Sequence, residues 1–186
     1  MKNLTKIYWG AFIGTIVIVV GIYAIWGNKG TNTSSWIPIG DEGAGFMISF
    51  PREPEHGSQD IPIPDSTDVI LQDSYTLIGD DEMRYLFIRS LQPVSLDGEE
   101  PQAVLQSALD GMLQTSPSNA LQNSQPVEIS GRPALKFSIV NSSNNTFFEG
   151  IITYKDKALY QAFVSYDESK KNEANLTAFL ESLGMY

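Results

Sequence analysis

The 186-residue sequence contains no cysteine and a single histidine, His56. Without cysteine there is no disulfide, no thiol nucleophile and no thiolate zinc site. A lone histidine cannot fill a transition-metal coordination shell either. Basic residues are also scarce, with twelve Lys and Arg against twenty-two Asp and Glu. Three of the twelve, Lys2, Lys6 and Lys29, lie in the first thirty residues, while every acid lies after Trp36, so residues 36–186 carry a net charge of −13. Such a surface repels phosphate backbones, which disfavours nucleic acid as a partner.

What the sequence does contain is one long uncharged run, residues 7–26, IYWGAFIGTIVIVVGIYAIW. About twenty residues as a helix cross the roughly 30 Å hydrocarbon core of a bilayer. Ten of them are Ile, Val or Phe, which favours insertion by about 3–6 kcal/mol. Tyr8 and Trp9 mark one end and Tyr23 and Trp26 the other, as interfacial aromatics do. Lys2 and Lys6 precede the run, so the positive-inside rule places residues 1–6 in the cytoplasm and the rest of the chain outside, on the periplasmic side if the protein is bacterial. The run exceeds the apolar core of a secretory signal and lacks a small-residue cleavage pair after it, which favours an uncleaved single-pass signal anchor in the cell membrane over a removed leader. Gly10 and Gly14 form G-x-x-x-G, a spacing compatible with weak homodimerisation of the anchor.

Residues 27–35, GNKGTNTSS, read as a flexible tether spanning on the order of 15–18 Å. Residues 36–186 are long enough for one domain with a real core. Phe46, Ile48 and Phe50 alternate with Met47 and Ser49, which predicts a half-buried strand ended by Pro51. Arg52–Asp68 holds three prolines, no periodicity and His56, and reads as a long loop. Val69–Ile78 and Met83–Leu91 predict a hairpin across Gly79–Glu82. Val104, Leu105, Ala108, Leu109, Met112 and Leu113 predict a helix over Pro101–Thr115, started by Pro101 or by an Asp97/Glu100 capping box. Extended segments follow at Ala120–Ile129, Ala134–Val140, Phe147–Tyr154 and Ala158–Tyr166. A last helix is predicted over Glu173–Leu183, with Asn172 as cap and Gly184 as stop.

In order, GFMISFPREPE, a hairpin, an amphipathic helix, GRPALKF, FFEGIITYKDKALYQAFVSY and FLESLG together resemble the PsbP-like fold of photosystem extrinsic proteins and DcrB-type envelope proteins. The resemblance covers Trp36–Tyr186 and implies an α+β domain, one antiparallel sheet flanked by helices. It further implies a binding or assembly subunit rather than an enzyme, and it transfers no site residue.

Candidate chemistry is sparse, and no catalytic, cofactor or metal residue is assigned. His56 has Ser58 and Asp60 two and four residues away, but a triad must be assembled from a rigid scaffold with an oxyanion hole. Asp80-Asp81-Glu82 and Asp97-x-Glu99-Glu100 supply oxygens suited to a hard cation, without EF-hand spacing. Gly40, Gly43 and Gly45 precede a strand, whereas a phosphate loop follows one, so they read as a turn. Asn32, Asn141, Asn144 and Asn175 head N-x-S/T triplets. The expected function is a membrane-anchored extracytoplasmic binding or assembly module with a protein partner in the envelope. The alternatives are a small-molecule or lipid-binding domain with 52–68 as a lid, and a carboxylate-dependent hydrolase.

Overall fold

The computed structural model describes residues 36–186. The anchor at 7–26, the Gly10/Gly14 pair, the tether and Asn32 lie outside the described residues. Among those described, no helix is long and apolar enough to cross a membrane.

The described residues make ten strands, two α-helices and one short 3-10 turn at Glu168–Lys170. In order the strands and α-helices are β1 (Ile37–Asp41), β2 (Phe46–Phe50), β3 (Glu55–Pro62), β4 (Val69–Ile78), β5 (Arg84–Leu91), α1 (Pro101–Gln114), β6 (Asn119–Ile129), β7 (Arg132–Asn141), β8 (Thr146–Lys155), β9 (Ala158–Asp167), α2 (Glu173–Glu181) and β10 (Gly184–Met185). One antiparallel sheet was expected; two form. Seven strands run in the order β3-β4-β5-β9-β8-β7-β6, and a separate three-stranded sheet runs β1-β2-β10.

Strand alternation sends successive side chains to opposite faces. On one face of the large sheet, Leu86, Ile88, Leu135, Phe137, Ile139, Ile152 and Phe163 meet Val104, Leu105, Leu109 and Met112 of α1. On the other, Tyr85, Phe87, Tyr160, Ala162 and Val164 meet Phe46, Ile48 and Phe50 of the small sheet and Leu176, Phe179 and Leu180 of α2. The large sheet is therefore the middle of three layers. β9 lies at its centre and is buried along Ala158–Tyr166, because both of its faces are covered.

Several boundaries differ from the sequence expectation. Residues 55–62, read as loop, form β3, paired residue for residue with β4 from Glu55↔Thr76 to Pro62↔Val69. An edge strand needs a neighbour on one side only, so its polar sequence suffices. A segment held in eight consecutive pairs is a fixed edge, and the lid role for 52–68 is withdrawn. No capping box starts α1: Glu100 is the cap, its carboxylate accepting from the Ala103 amide at 2.8 Å, with Pro101 in the first turn. Asn172 caps α2, its side chain accepting from the Asn175 amide at 3.2 Å. Gly184 does not merely stop α2 but opens β10, pairing with Met47. Gly40, near the end of β1, sits at φ +86°, and Gly45, in the β1–β2 turn, at φ +79°, backbone that glycine adopts without strain.

Candidate functional site

The strongest surface cluster lies on the small-sheet face, toward the β3 edge. Cross-strand register sets Ser58, Asp73, Arg89 and Tyr160 directly opposite one another on β3, β4, β5 and β9. A parallel row reads His56, Tyr75, Phe87 and Ala162. These residues are 106 positions apart in sequence at the extremes, His56 to Ala162, and strand pairing alone assembles them.

The His56 ring stacks on Tyr75 at 4.6 Å between centroids. His56 Nε2 lies 3.6 Å from Asp73 Oδ1, and Arg89 Nη1 lies 3.5 Å from Asp73 Oδ2. Both distances are longer than a hydrogen bond; Arg89–Asp73 is an ion pair, and half-exposed pairs of that kind contribute about 0–1 kcal/mol. They fix position more than they stabilise. Burial raises the Tyr75 hydroxyl pKa above its ordinary value, and Asp73 adds to the rise while Arg89 opposes it. Burial also raises Tyr160, against the Arg89 charge and hydrogen bond. Beside these rows Leu71 is 44% exposed and Val69 39%. The result is a rigid surface of aromatic, ion-paired and apolar side chains.

His56, Ser58 and Asp60 do share one face of β3, as a two-residue period requires. The acid facing His56 is Asp73 from the next strand, not Asp60. Asp73, Tyr75 and Arg89 carried no local motif, and only the β3–β4–β5 register brings them to His56.

The acidic groups are engaged elsewhere. Asp81 Oδ2 accepts from the Tyr85 hydroxyl at 2.7 Å and from Asn175 Nδ2 at 2.8 Å. Glu82 pairs with Lys170 at 2.9 Å, and Asp80 lies 3.7 Å from Arg52. Asp97 accepts from the Asp156 amide at 3.1 Å, tying the stretch before α1 to the β8–β9 turn. No group of three or more His, Asp or Glu able to hold a metal occurs among the described residues. Gly43 and Gly45 lie in the turn before β2, as expected, whereas Gly40 is a residue of β1 paired with Met47. Of the N-x-S/T asparagines, Asn141 is buried and donates to Asn119 Oδ1 at 2.7 Å, and Asn175 serves Asp81.

A second charged cluster joins β8, β9 and the start of α2. Glu149 accepts from Lys171 Nζ at 2.9 Å and from the Tyr166 hydroxyl. Lys171 also reaches Glu173 at 2.8 Å and sits 5.7 Å from the Tyr166 ring centre. Burial alone would raise the Glu149 pKa, but the hydrogen bonds from Lys171 and Tyr166 and the charges of Lys171 and Lys136 outweigh it and hold the carboxyl below its ordinary value.

No known family model matches the chain, and no curated protein does. Among solved structures, cyanobacterial PsbP (CyanoP) from Synechocystis sp. PCC 6803 superposes with a TM-score of 0.54 at 16% identity, over 87% of this chain and 99% of that one. The fold is PsbP-like. A Pseudomonas aeruginosa protein of unknown function, PA94, matches at a TM-score of 0.40 and 12% identity, over 74% of this chain and 86% of that one. At 16% identity the likeness to cyanobacterial PsbP is one of fold, and the chemistry must be argued from the residues.

Proposed function

We propose that this chain is a membrane-anchored binding or assembly module that docks a protein partner through the open part of its small-sheet face. A PsbP-like fold fits a non-catalytic module of this kind. The observation that carries the reading is the surface around His56, Tyr75, Asp73 and Arg89, bordered by exposed Leu71 and Val69. Tyr and Arg are enriched at protein interfaces. A surface held by strand pairing loses little further freedom on docking.

Residues 7–26 form the anchor in this reading, 1–6 remain cytoplasmic, 27–35 act as tether, and 36–186 work outside the membrane. The uncharged run and its flanking lysines support that topology. Gly10 and Gly14 give two copies a means of weak pairing within the bilayer.

The test is a photocrosslinking residue at Leu71 and, as control, at Glu128 on the opposite edge, in the full chain in sealed right-side-out vesicles. External protease should remove the domain, and discrete adducts should arise from Leu71 and not from Glu128. Adducts of equal yield from both positions, or none from Leu71, would overturn the docking reading. Domain cleavage only in inverted vesicles would overturn the topology.

A further inference from the structure

We propose that β3 accepts an extended, cationic segment of a protein partner as the eighth strand of the large sheet. This rests on the reading of the chain as a binding module and names the partner's chemistry and its seat.

The two edges of the sheet differ in how they are guarded. At one edge, β6 carries a register shift between Leu121 and Asn123 and a proline at Pro126, within the strand. Bulges and internal prolines interrupt an edge and discourage further pairing. At the other edge, β3 pairs with β4 through eight successive residues without a bulge, and its one proline, Pro62, is its last residue. About half of the β3 amides and carbonyls point away from β4, as in any edge strand. Among the described residues this edge is unbroken by bulge or internal proline, and an edge of this length is a template for an added strand.

Charge selects the occupant. Between Arg52 and Arg84 the sequence has nine acids and no Lys or Arg. Glu53, Glu55, Asp60 and Asp65 in that span are exposed. Two β3 edges brought together would set these acids against each other, which disfavours a second copy of this chain. A segment carrying Lys or Arg instead meets them with complementary charge. Alternation fixes the pattern further. On one face the added strand lies beside Asp60, with exposed Leu71 on the next strand opposite it. On the other it lies beside Ile61, which packs on the small apolar cluster of Ile63 and Ile70. The segment expected is one in which basic and apolar residues alternate.

The experiment uses the full chain in detergent and a peptide of alternating Lys and Val as long as β3, with a Glu/Val peptide as control. Binding is read by fluorescence anisotropy and located by amide hydrogen exchange. The Lys/Val peptide should bind saturably, slow exchange along Glu55–Pro62, and lose about tenfold in affinity to D60K, which reverses the one β3 acid on the face that takes the lysines. D60N, a milder change, should lose part of that affinity, and unaltered exchange in β5 and β9 confirms that either variant is folded. No binding, protection located anywhere other than β3, or undiminished affinity in the folded variants would overturn the proposal. So would β3 protection that grows with protein concentration alone, which would make a second copy the occupant. If the peptide fails while Leu71 still crosslinks a partner, the edge-strand inference falls and the module reading stands.

Discussion

The Tyr85 hydroxyl donates to Asp81 Oδ2 at 2.7 Å, closing the β4–β5 turn on a tyrosine with no exposed surface. Asn175 of α2 donates to the same oxygen at 2.8 Å, and the Met83 amide donates to the other at 3.2 Å. One carboxylate therefore ties a turn, a strand and the last helix together. Burial and the Asp81 contact raise the Tyr85 pKa well above its ordinary value, so the tyrosine remains a donor through the physiological range.

Asp81→Ala removes the acceptor and leaves the Tyr85 hydroxyl and the Asn175 amide unmatched. The expected loss is about 1–3 kcal/mol, with Tm falling by about 2–4 °C per kcal/mol. Tyr85→Phe should cost less, near 1 kcal/mol, because Asp81 keeps two donors. Urea denaturation measures both, and an Asp81→Ala midpoint equal to that of the parent chain would refute the link.

Glu149 gives the acid limb of stability a specific source. Its folded pKa is depressed, so its contribution is complete above the unfolded value of about 4.3 and is lost as pH falls through the lower, folded value. Glu149→Gln should flatten stability against pH in that window and leave the slope between pH 6 and 8 unchanged (both bounds roughly set by ordinary carboxylate titration). The check is urea midpoints measured across an acid series. An identical acid slope in both proteins would exclude Glu149 as the source.

Gly150 sits where strands approach too closely for a side chain. A Cβ there would lie 2.5 Å from Phe163 Cβ, 2.6 Å from the Ala162 carbonyl oxygen and 2.7 Å from Phe137 Cζ. The carbonyl belongs to β9 backbone and cannot swing aside. Gly150→Ala should destabilise by about 3 kcal/mol, at the upper end of ordinary overpacking. Gly131→Ala meets no neighbour within 4 Å, but its φ of +74° adds backbone strain, so a loss of only about 1 kcal/mol is expected. Thermal melts of the two variants give the order, and equal losses would refute the packing explanation.

Periodicity made the local elements legible. Phe46, Ile48 and Phe50 alternate because β2 has one buried face, and the stripe on α1 is the surface that meets β6–β8. The Gly79–Glu82 turn announced its hairpin through its residues. β3 was missed because Ile61 is its only large apolar residue, and an edge strand can be held by backbone pairing with little burial. The second sheet was missed because it closes through Gly184↔Met47 and Met185↔Phe46, contacts almost the length of the domain apart. The resemblance implied the fold, but no local pattern specifies such a closure. For the site, His56 stood out by type alone. Asp73, Tyr75 and Arg89 depend on registers that no short window contains.

The strand order β3-β4-β5-β9-β8-β7-β6 has a consequence for synthesis. The two halves of the large sheet join only through β5 and β9, so β5 has no second neighbour until residues beyond Ala158 leave the ribosome. At about 5–20 residues per second, the 67 residues from Leu91 to Ala158 take several seconds to make. During that interval a hairpin rich in Leu, Ile and Phe waits with an open edge. An unpaired strand edge is a template for pairing with another chain, so the order of synthesis leaves this one open until β9 arrives.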